Sequence, residues 1–251
     1  MTTLRHSLGS AISSFWKLTS HNRLNRTQVL MYHSIGGNAD GDRRGLYSVS
    51  PDSFRSQIEV LDDLATNGTS IVVPFGDELP GQVSVTFDDG YIDNLSVVAP
   101  TMIEKAFPFH VFLCPAFIES GRTGFLTRRD VLELAAMPGV SLGVHGYSHR
   151  PLTTLDSNVL RTDLMSSRQW LEDLIQHPVT SMSYPHGAVD TRVIAFVNEA
   201  GFTRAACSKF GPVVAGSDLL EIPRVDIWST DTNFSFASKI EGHWDWMRWR
   251  T

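Results

Sequence analysis

The chain predicts an α/β fold built on a parallel sheet, and three observations carry that reading. Short apolar runs alternate with longer amphipathic stretches along most of the 251 residues, the order that lays helices against a parallel sheet. Four of the short runs end in residues able to do chemistry, His33, Asp88, His145 and Ser183. In parallel α/β barrels catalytic groups sit at the C-terminal ends of strands, so these endings fall where a site would be built. Length agrees, since one sizeable core is normal for a chain of this size. No internal repeat, low-complexity tract or second-domain boundary interrupts it.

Element by element, strands are expected near residues 29–35, 69–74, 83–88, 109–114, 140–145, 179–184 and 203–207, from apolar runs of strand length. Helices are expected near 52–66, 92–106, 128–136, 157–176 and 189–200, where apolar positions recur at helical spacing. Pro51-Asp52 opens the first of these helices and Gly68 closes it. Residues 1–27 read as a separate helical extension, because Leu4, Leu8, Ala11, Ile12, Phe15 and Leu18 share one helical face. That stretch is too short to span a bilayer and has no clear cleavage site for a secretory signal. It reads as a helix that covers the bottom of the barrel or docks on another surface; a membrane-surface helix is the other reading, with little charge to support it. Residues 28–251 form the main domain.

Composition narrows the class. Lys plus Arg number 21 against 27 Asp plus Glu, a net charge of −6, which argues against a general nucleic-acid binder. A hydrophobic content of 42% excludes a disordered chain. Cys114 and Cys207 lie in apolar segments and read as reduced core residues rather than a disulfide. With no transmembrane segment and no clear signal, a cytoplasmic location is the expectation.

Thr86-Phe87-Asp88-Asp89-Gly90 is the most informative stretch. It closes the alternating run Val83-Ser84-Val85-Thr86-Phe87, and two carboxylates at the end of a buried strand cost several kcal/mol, by rough estimate, unless paired or metal-bound. Neighbouring residues on a strand point in different directions, so one carboxylate can hold a metal while the other faces a substrate. The alternative is helix capping near Tyr91. His145-Gly146-Tyr147-Ser148-His149 follows a second apolar run. Two histidines four apart can converge on one metal; the helical zinc-protease pattern fails because Gly146 stands where its Glu would be. A lone pair of this kind is often surface or core decoration. Joined to Asp88-Asp89, it points to an Asp-His-His site with open positions.

With Ser183-Tyr184-Pro185-His186-Gly187, these stretches resemble the first three ordered motifs of the polysaccharide deacetylases, carbohydrate esterase family four. The resemblance runs from about Val29 to about Val225, and takes in Ser166-Ser167, Trp170-Leu171-Glu172 and Glu199-Ala200-Gly201-Phe202. It implies a single distorted (β/α) barrel. It also implies that Asp88 is the general base, that Asp89, His145 and His149 are the metal ligands, and that the His186 backbone N–H stabilises the oxyanion. Pro185 and Gly187 would shape that turn. Zinc is the default ion, although the donor set suits other divalent transition ions.

Two departures matter. The family's third motif starts with an arginine that steadies the base, and here Ser183 takes that position. Arg224 is the nearest downstream replacement; a surface arginine beside Pro223 is the other reading. The family's final Leu-x-x-His is also missing, and His243 lacks the apolar strand that should precede it. Val29-Leu30-Met31-Tyr32-His33-Ser34-Ile35 delivers a histidine at a strand end, and some family members are circularly permuted with the acid-bearing strand at the front. His33 is therefore the expected general acid, ahead of His186 and His243, with a histidine packed at a strand end as the alternative. Tyr184, Pro185, Arg224 and Trp228 are assigned to the substrate-binding wall. Trp244-Asp245-Trp246-Met247-Arg248-Trp249 is expected to pack on the barrel rather than stack on sugar rings.

The activity implied is metal-dependent hydrolysis of the N-acetyl amide of an amino sugar in a polysaccharide, glycan or glycolipid. A non-catalytic carbohydrate-binding protein on the same scaffold is one alternative. A hydrolase of another C–N amide or an O-acetyl ester is the other.

Overall fold

A computed structural model describes residues 26–68, 71–76 and 81–250. The strands in chain order are β1 (Arg26–Tyr32), β2 (Ser34–Ile35), β3 (Ser48–Val49), β4 (Ile71–Val72), β5 (Gln82–Phe87) and β6 (Phe109–Leu113), then β7 (Val140–Val144), β8 (Ser181–Ser183), β9 (Arg204–Phe210), β10 (Val213–Val214) and β11 (Ile222–Asp226). Seven of them pair in parallel around a closed barrel in the order β1-β5-β6-β7-β8-β9-β11 and back to β1. β4 lies beside the start of β5, and β10 runs antiparallel to the start of β1.

Side chains alternate along each strand, and the two faces differ in chemistry. Leu30 and Tyr32, Val85 and Phe87, Val111 and Leu113, Met182, Ala205 and Val225 belong to the large core shared with the helices. Each such large side chain contributes roughly 1.5–3 kcal/mol on burial. Residues of the opposite parity point into the barrel. Val29, Phe112, Ala206 and Ile222 join Phe75 and Val213 in a second, separate apolar cluster. Farther along the same faces stand Thr86, Asp88, His145, Ser183 and Arg224, all buried.

The α-helices surround this barrel: α1 (Pro51–Thr66), α2 (Ala99–Glu104), α3 (Pro115–Glu119), α4 (Arg128–Ala135), α5 (Ser157–Ile175), α6 (Thr191–Glu199) and α7 (Asn233–Ile240). Their starts follow capping chemistry. Ser50 accepts from Ser53 N ahead of α1, Asp156 from Asn158 and Val159 N ahead of α5, and Thr127 forms a capping box with Asp130 ahead of α4. α1 buries Phe54, Gln57, Ile58 and Leu61, a stripe at helical spacing.

Several expectations need correction. The helix expected over 92–106 is a π turn at Asn94–Val98 followed by the short α2. Pro100 has no N–H to continue an α ladder, and the wider turn accommodates it. α3, α7, β10 and β11 were not expected. β11 contains Pro223 and Arg224, residues foreign to an interior strand; its register against β9 shifts between Ile222 and Arg224, where the proline falls. The extension expected over residues 1–27 lies outside the described residues up to position 25, and Arg26 and Thr27 belong to β1. Cys114 and Cys207 are free and buried. Among the described residues no helix is long and apolar enough to cross a membrane.

Gly143 on β7 shows how tightly the interior is filled. His110 on β6 and Ser181 on β8 meet across it, with Nε2 to Oγ at 3.1 Å. A Cβ at Gly143 would lie 2.7 Å from His110 Nε2 and 2.7 Å from the Ser181 carbonyl. The backbone contact cannot swing aside, so Gly143→Ala should destabilise the fold by about 1–3 kcal/mol. Urea denaturation of the two proteins checks this; an unchanged midpoint would show that the barrel relaxes around the methyl.

Candidate active site

The site opens at the C-terminal ends of the barrel strands. Phe87 ends β5, and Asp89 (φ 77°) and Gly90 (φ 79°) turn the chain sharply behind it. Asp88 and Asp89 do not cap a helix; Asp88 faces the barrel axis and Asp89 the neighbouring His loop. On β7, His145 follows Val144, and Gly146 (φ 62°) lets the loop return so that His149 (φ 56°) faces the same point. His149 Nε2 lies 3.1 Å and His145 Nε2 3.5 Å from Asp89 Oδ1. One donor atom from each of Asp89, His145 and His149 falls within 4.8 Å of the others.

Other side chains set these three. The His145 Nδ1 edge meets Ser183, 2.5 Å from Oγ and 3.1 Å from the carbonyl, which leaves Nε2 towards Asp89. Burial pushes the His145 imidazole down to about 4 against the opposing pull of Asp88 and Asp89, so at neutral pH the ring is uncharged. Burial also opposes ionisation of Asp89, but His149, His145 and His33 together hold it well below the usual carboxylate range. Asp89 Oδ1 is buried with no hydrogen bond of acceptable geometry, and Tyr91 OH donates to Oδ2 at 3.0 Å. An ionised carboxylate with one idle oxygen beside two imidazole nitrogens fits a divalent metal. Asp163 on α5 braces the loop, accepting from Tyr147 N at 2.7 Å and from Ser148 N and Oγ. It was missed in the sequence, where the one signal is a carboxylate on the apolar face of an amphipathic helix.

Asp88 is 1% and Arg224 0% exposed. Arg224 Nη1 donates to Asp88 Oδ1 at 2.8 Å and Nη2 to Oδ2 at 2.7 Å, the bidentate fork that suits a carboxylate. Burial works against the Asp88 charge, yet Arg224, His145 and His33 together outweigh it and the carboxyl is held below its ordinary value. Ser183 Oγ donates to Asp88 Oδ1 at 3.2 Å. Arg224 is thus out of reach of a substrate, and its assignment to the substrate wall is corrected.

His33, Asp88, Asp89, His145, His149, Tyr184 and His186 border one cavity of about 500 Å³. The His33 ring packs on Tyr47, 4.6 Å between centroids, and its Nδ1 is buried without a hydrogen-bond partner. Asp226, at the end of β11, is a second residue the sequence did not single out. Burial raises its carboxyl above the ordinary value against the charges of Lys239, His33 and Arg224. His186 is exposed, in the left-handed region (φ 58°), with its ring 4.6 Å from that of His149. The two hydrogen bonds of its turn come from Gly187 and Ala188 N–H. Tyr184 borders the cavity but spends its hydroxyl on the Leu220 carbonyl at 2.6 Å. Pro185 is buried under the His loop and Trp228 lies behind the wall, so neither borders the cavity. The face of Trp228 is occupied by Lys239 Nζ, 3.9 Å from the ring centre. His243 is buried beside Glu241, away from the cavity. Trp244 packs in the core.

Solved structures similar to this fold include deacetylases. Deacetylase PplD of Streptococcus pyogenes, solved with acetate, superposes with a TM-score of 0.76 at 21% identity, over 86% of this chain and 98% of that one. BC0361, a polysaccharide deacetylase from Bacillus cereus, gives 0.73 at 26%, over 86% and 69% of the two chains. IcaB from Ammonifex degensii gives 0.73 at 20%, over 91% and 100%. The protein is a barrel hydrolase of the deacetylase class. The family model for polysaccharide deacetylase matches residues 76–205, more than half of the chain, and the chain belongs to that family. YxkH of Bacillus subtilis strain 168, named as a polysaccharide deacetylase, is 24% identical over 223 residues, 85% of this chain and 75% of that protein.

Breaking the Asp88–Arg224 pair leaves a buried charge alone, so Arg224→Met should cost about 3–5 kcal/mol. Pairing lowers the Asp88 pKa in the fold. Its contribution is therefore present above the unfolded value of about 3.9 and is lost as pH falls through the lower folded value. Urea titrations at a series of acid pH values should show this dependence in the wild type and its loss in the variant. Adding Asp88→Asn to Arg224→Met should recover part of the stability.

Proposed function

We propose that this protein is a metal-dependent deacetylase that hydrolyses the N-acetyl amide of an amino sugar in a polysaccharide, glycan or glycolipid. The observation that carries the reading is the convergence of Asp89, His145 and His149 beside an Arg224-bound Asp88 in one cavity. A divalent ion, zinc by default, would be held by Asp89, His145 and His149; when bound it polarises the amide carbonyl and acidifies a water molecule.

The chain's own groups supply the rest. Asp88 takes the proton of the attacking water as general base. Arg224 and Ser183 fix its orientation from the barrel side. His33, which borders the cavity, protonates the departing amine as general acid. The His186 N–H, free of its turn's own hydrogen bonds, serves the developing oxyanion. A purely carbohydrate-binding role drew its support from the missing third-motif arginine. Arg224 meets Asp88 in its place, which removes that support.

Acetate release from N-acetylglucosamine oligomers, measured with metal analysis of the same preparation, tests the reading. Asp89→Asn or His145→Ala should lose bound metal and acetate release together, and retained turnover in metal-stripped Asp89→Asn protein would falsify it. His33→Ala should keep the metal and slow amide cleavage by roughly 10²–10⁴-fold. An activated acetyl ester, whose leaving group departs without a proton, should suffer far less in that variant. His243→Ala should leave the rate close to wild type.

A further inference from the structure

One wall of the cavity is the loop of residues 36–47 between β2 and β3, and it is rigidly mounted. Ala39 N donates to Ser48 Oγ at 2.9 Å, Asp40 N to Tyr91 OH at 2.6 Å, and Tyr47 N to Asp42 Oδ2 at 2.6 Å. From outside, Ser229 N donates to the Leu46 carbonyl at 2.7 Å. The loop carries four charged side chains to the cavity, Asp40, Asp42, Arg43 and Arg44. Both carboxylates are already engaged. Asp40 pairs with Arg122, and Asp42 accepts from the Tyr47 and Arg44 N–H groups.

Arg43 and Arg44 differ from every other charged group there. They border the cavity, they are exposed, and among the described residues neither side chain has an ion pair or hydrogen bond. The remaining charges of the cavity are spoken for, since Asp88 is neutralised by Arg224 and Asp89 faces His145 and His149. Two guanidinium groups without an ion-pair partner at the mouth stand out on a chain whose net charge is −6. Local charge of one sign at a cleft concentrates ligands of the other sign. Guanidinium forks match carboxylate and phosphate oxygens in geometry as well as charge.

We infer that Arg43 and Arg44 select a glycan bearing an anionic group, a carboxylate or a phosphate, beside the N-acetylated sugar. The inference rests on the deacetylase reading for the identity of that sugar. It does not depend on turnover, because recognition by the two arginines is a binding event.

Calorimetric titration of the full-length, zinc-supplemented protein tests it. One pair of probes is an N-acetylglucosamine tetrasaccharide and a tetrasaccharide alternating N-acetylglucosamine with glucuronic acid. The other is methyl N-acetylglucosaminide and N-acetylglucosamine 1-phosphate. The wild type should bind at least one anionic member about 10-fold more tightly than its neutral counterpart, as expected for charge-assisted contacts. The responsive pair names the anion as carboxylate or phosphate. The R43Q/R44Q double variant should lose most of that advantage, R43K/R44K should keep part of it, and added salt should erode it in the wild type. Equal affinity within both pairs, or an advantage undiminished in R43Q/R44Q, overturns the inference. Acetate release is recorded in parallel. Anion-selective binding that disappears in R43Q/R44Q, with no acetate released from any probe, upholds the arginine assignment and sinks the deacetylase reading.

Discussion

The buried ion pair between Arg224 and Asp88 is the constraint on which the rest of the site depends. Both side chains are buried, and an unpaired charge there would cost several kcal/mol, by rough estimate. The bidentate fork offsets that cost. The guanidinium is fixed further by the Cys207 carbonyl at 3.0 Å and by Thr86 Oγ1 at 3.2 Å. The pair joins β5 to β11, the two strands that flank β1 in the barrel. A single interaction therefore bridges the seam on either side of the first strand and sets the direction of the group proposed to act as base.

From that pair, order spreads sideways through hydrogen bonds. Ser183 touches Asp88 on one side and His145 on the other, so the base and a proposed metal ligand share one hydroxyl. Asp163 reaches up from α5 to hold the turn between His145 and His149, and Tyr91 holds Asp89 while also fixing Asp40 in the loop opposite. Supporting groups of this kind fix ring orientation and ligand basicity. Beneath them the cluster of Val29, Phe75, Phe112, Ala206, Val213 and Ile222 fills the barrel with hydrocarbon. The cavity can then open only towards the loops at the strand ends, where Arg43 and Arg44 stand.

Position 183 shows how a charge can keep its place in space while moving along the chain. Seen along the sequence, a serine where the family resemblance places an arginine looks like a lost function. In the fold, β8 and β11 both lie beside β9, so a guanidinium sent inward from β11 arrives at the carboxylate that one from β8 would have served. The small side chain at Ser183 is then what the space requires, because the arginine has already filled it.

Much of the architecture is legible in the chain because it is driven by local periodicity. Apolar runs of strand length mark β1 and β5 to β9, amphipathic stretches with capping residues mark α1, α4, α5 and α6, and strand-end residues mark Asp88, Asp89, His145, His149 and His33. These follow from side-chain alternation and from the cost of burying charge, which neighbours in sequence already express. β11 could not be read that way. Its proline and arginine contradict a strand locally, and they are stable there only because a register shift accommodates Pro223 and Asp88 neutralises Arg224. The same holds for Asp163, Asp226 and the Arg43–Arg44 rim. Their partners, or lack of them, come from segments far away in the chain, and only packing brings those segments together.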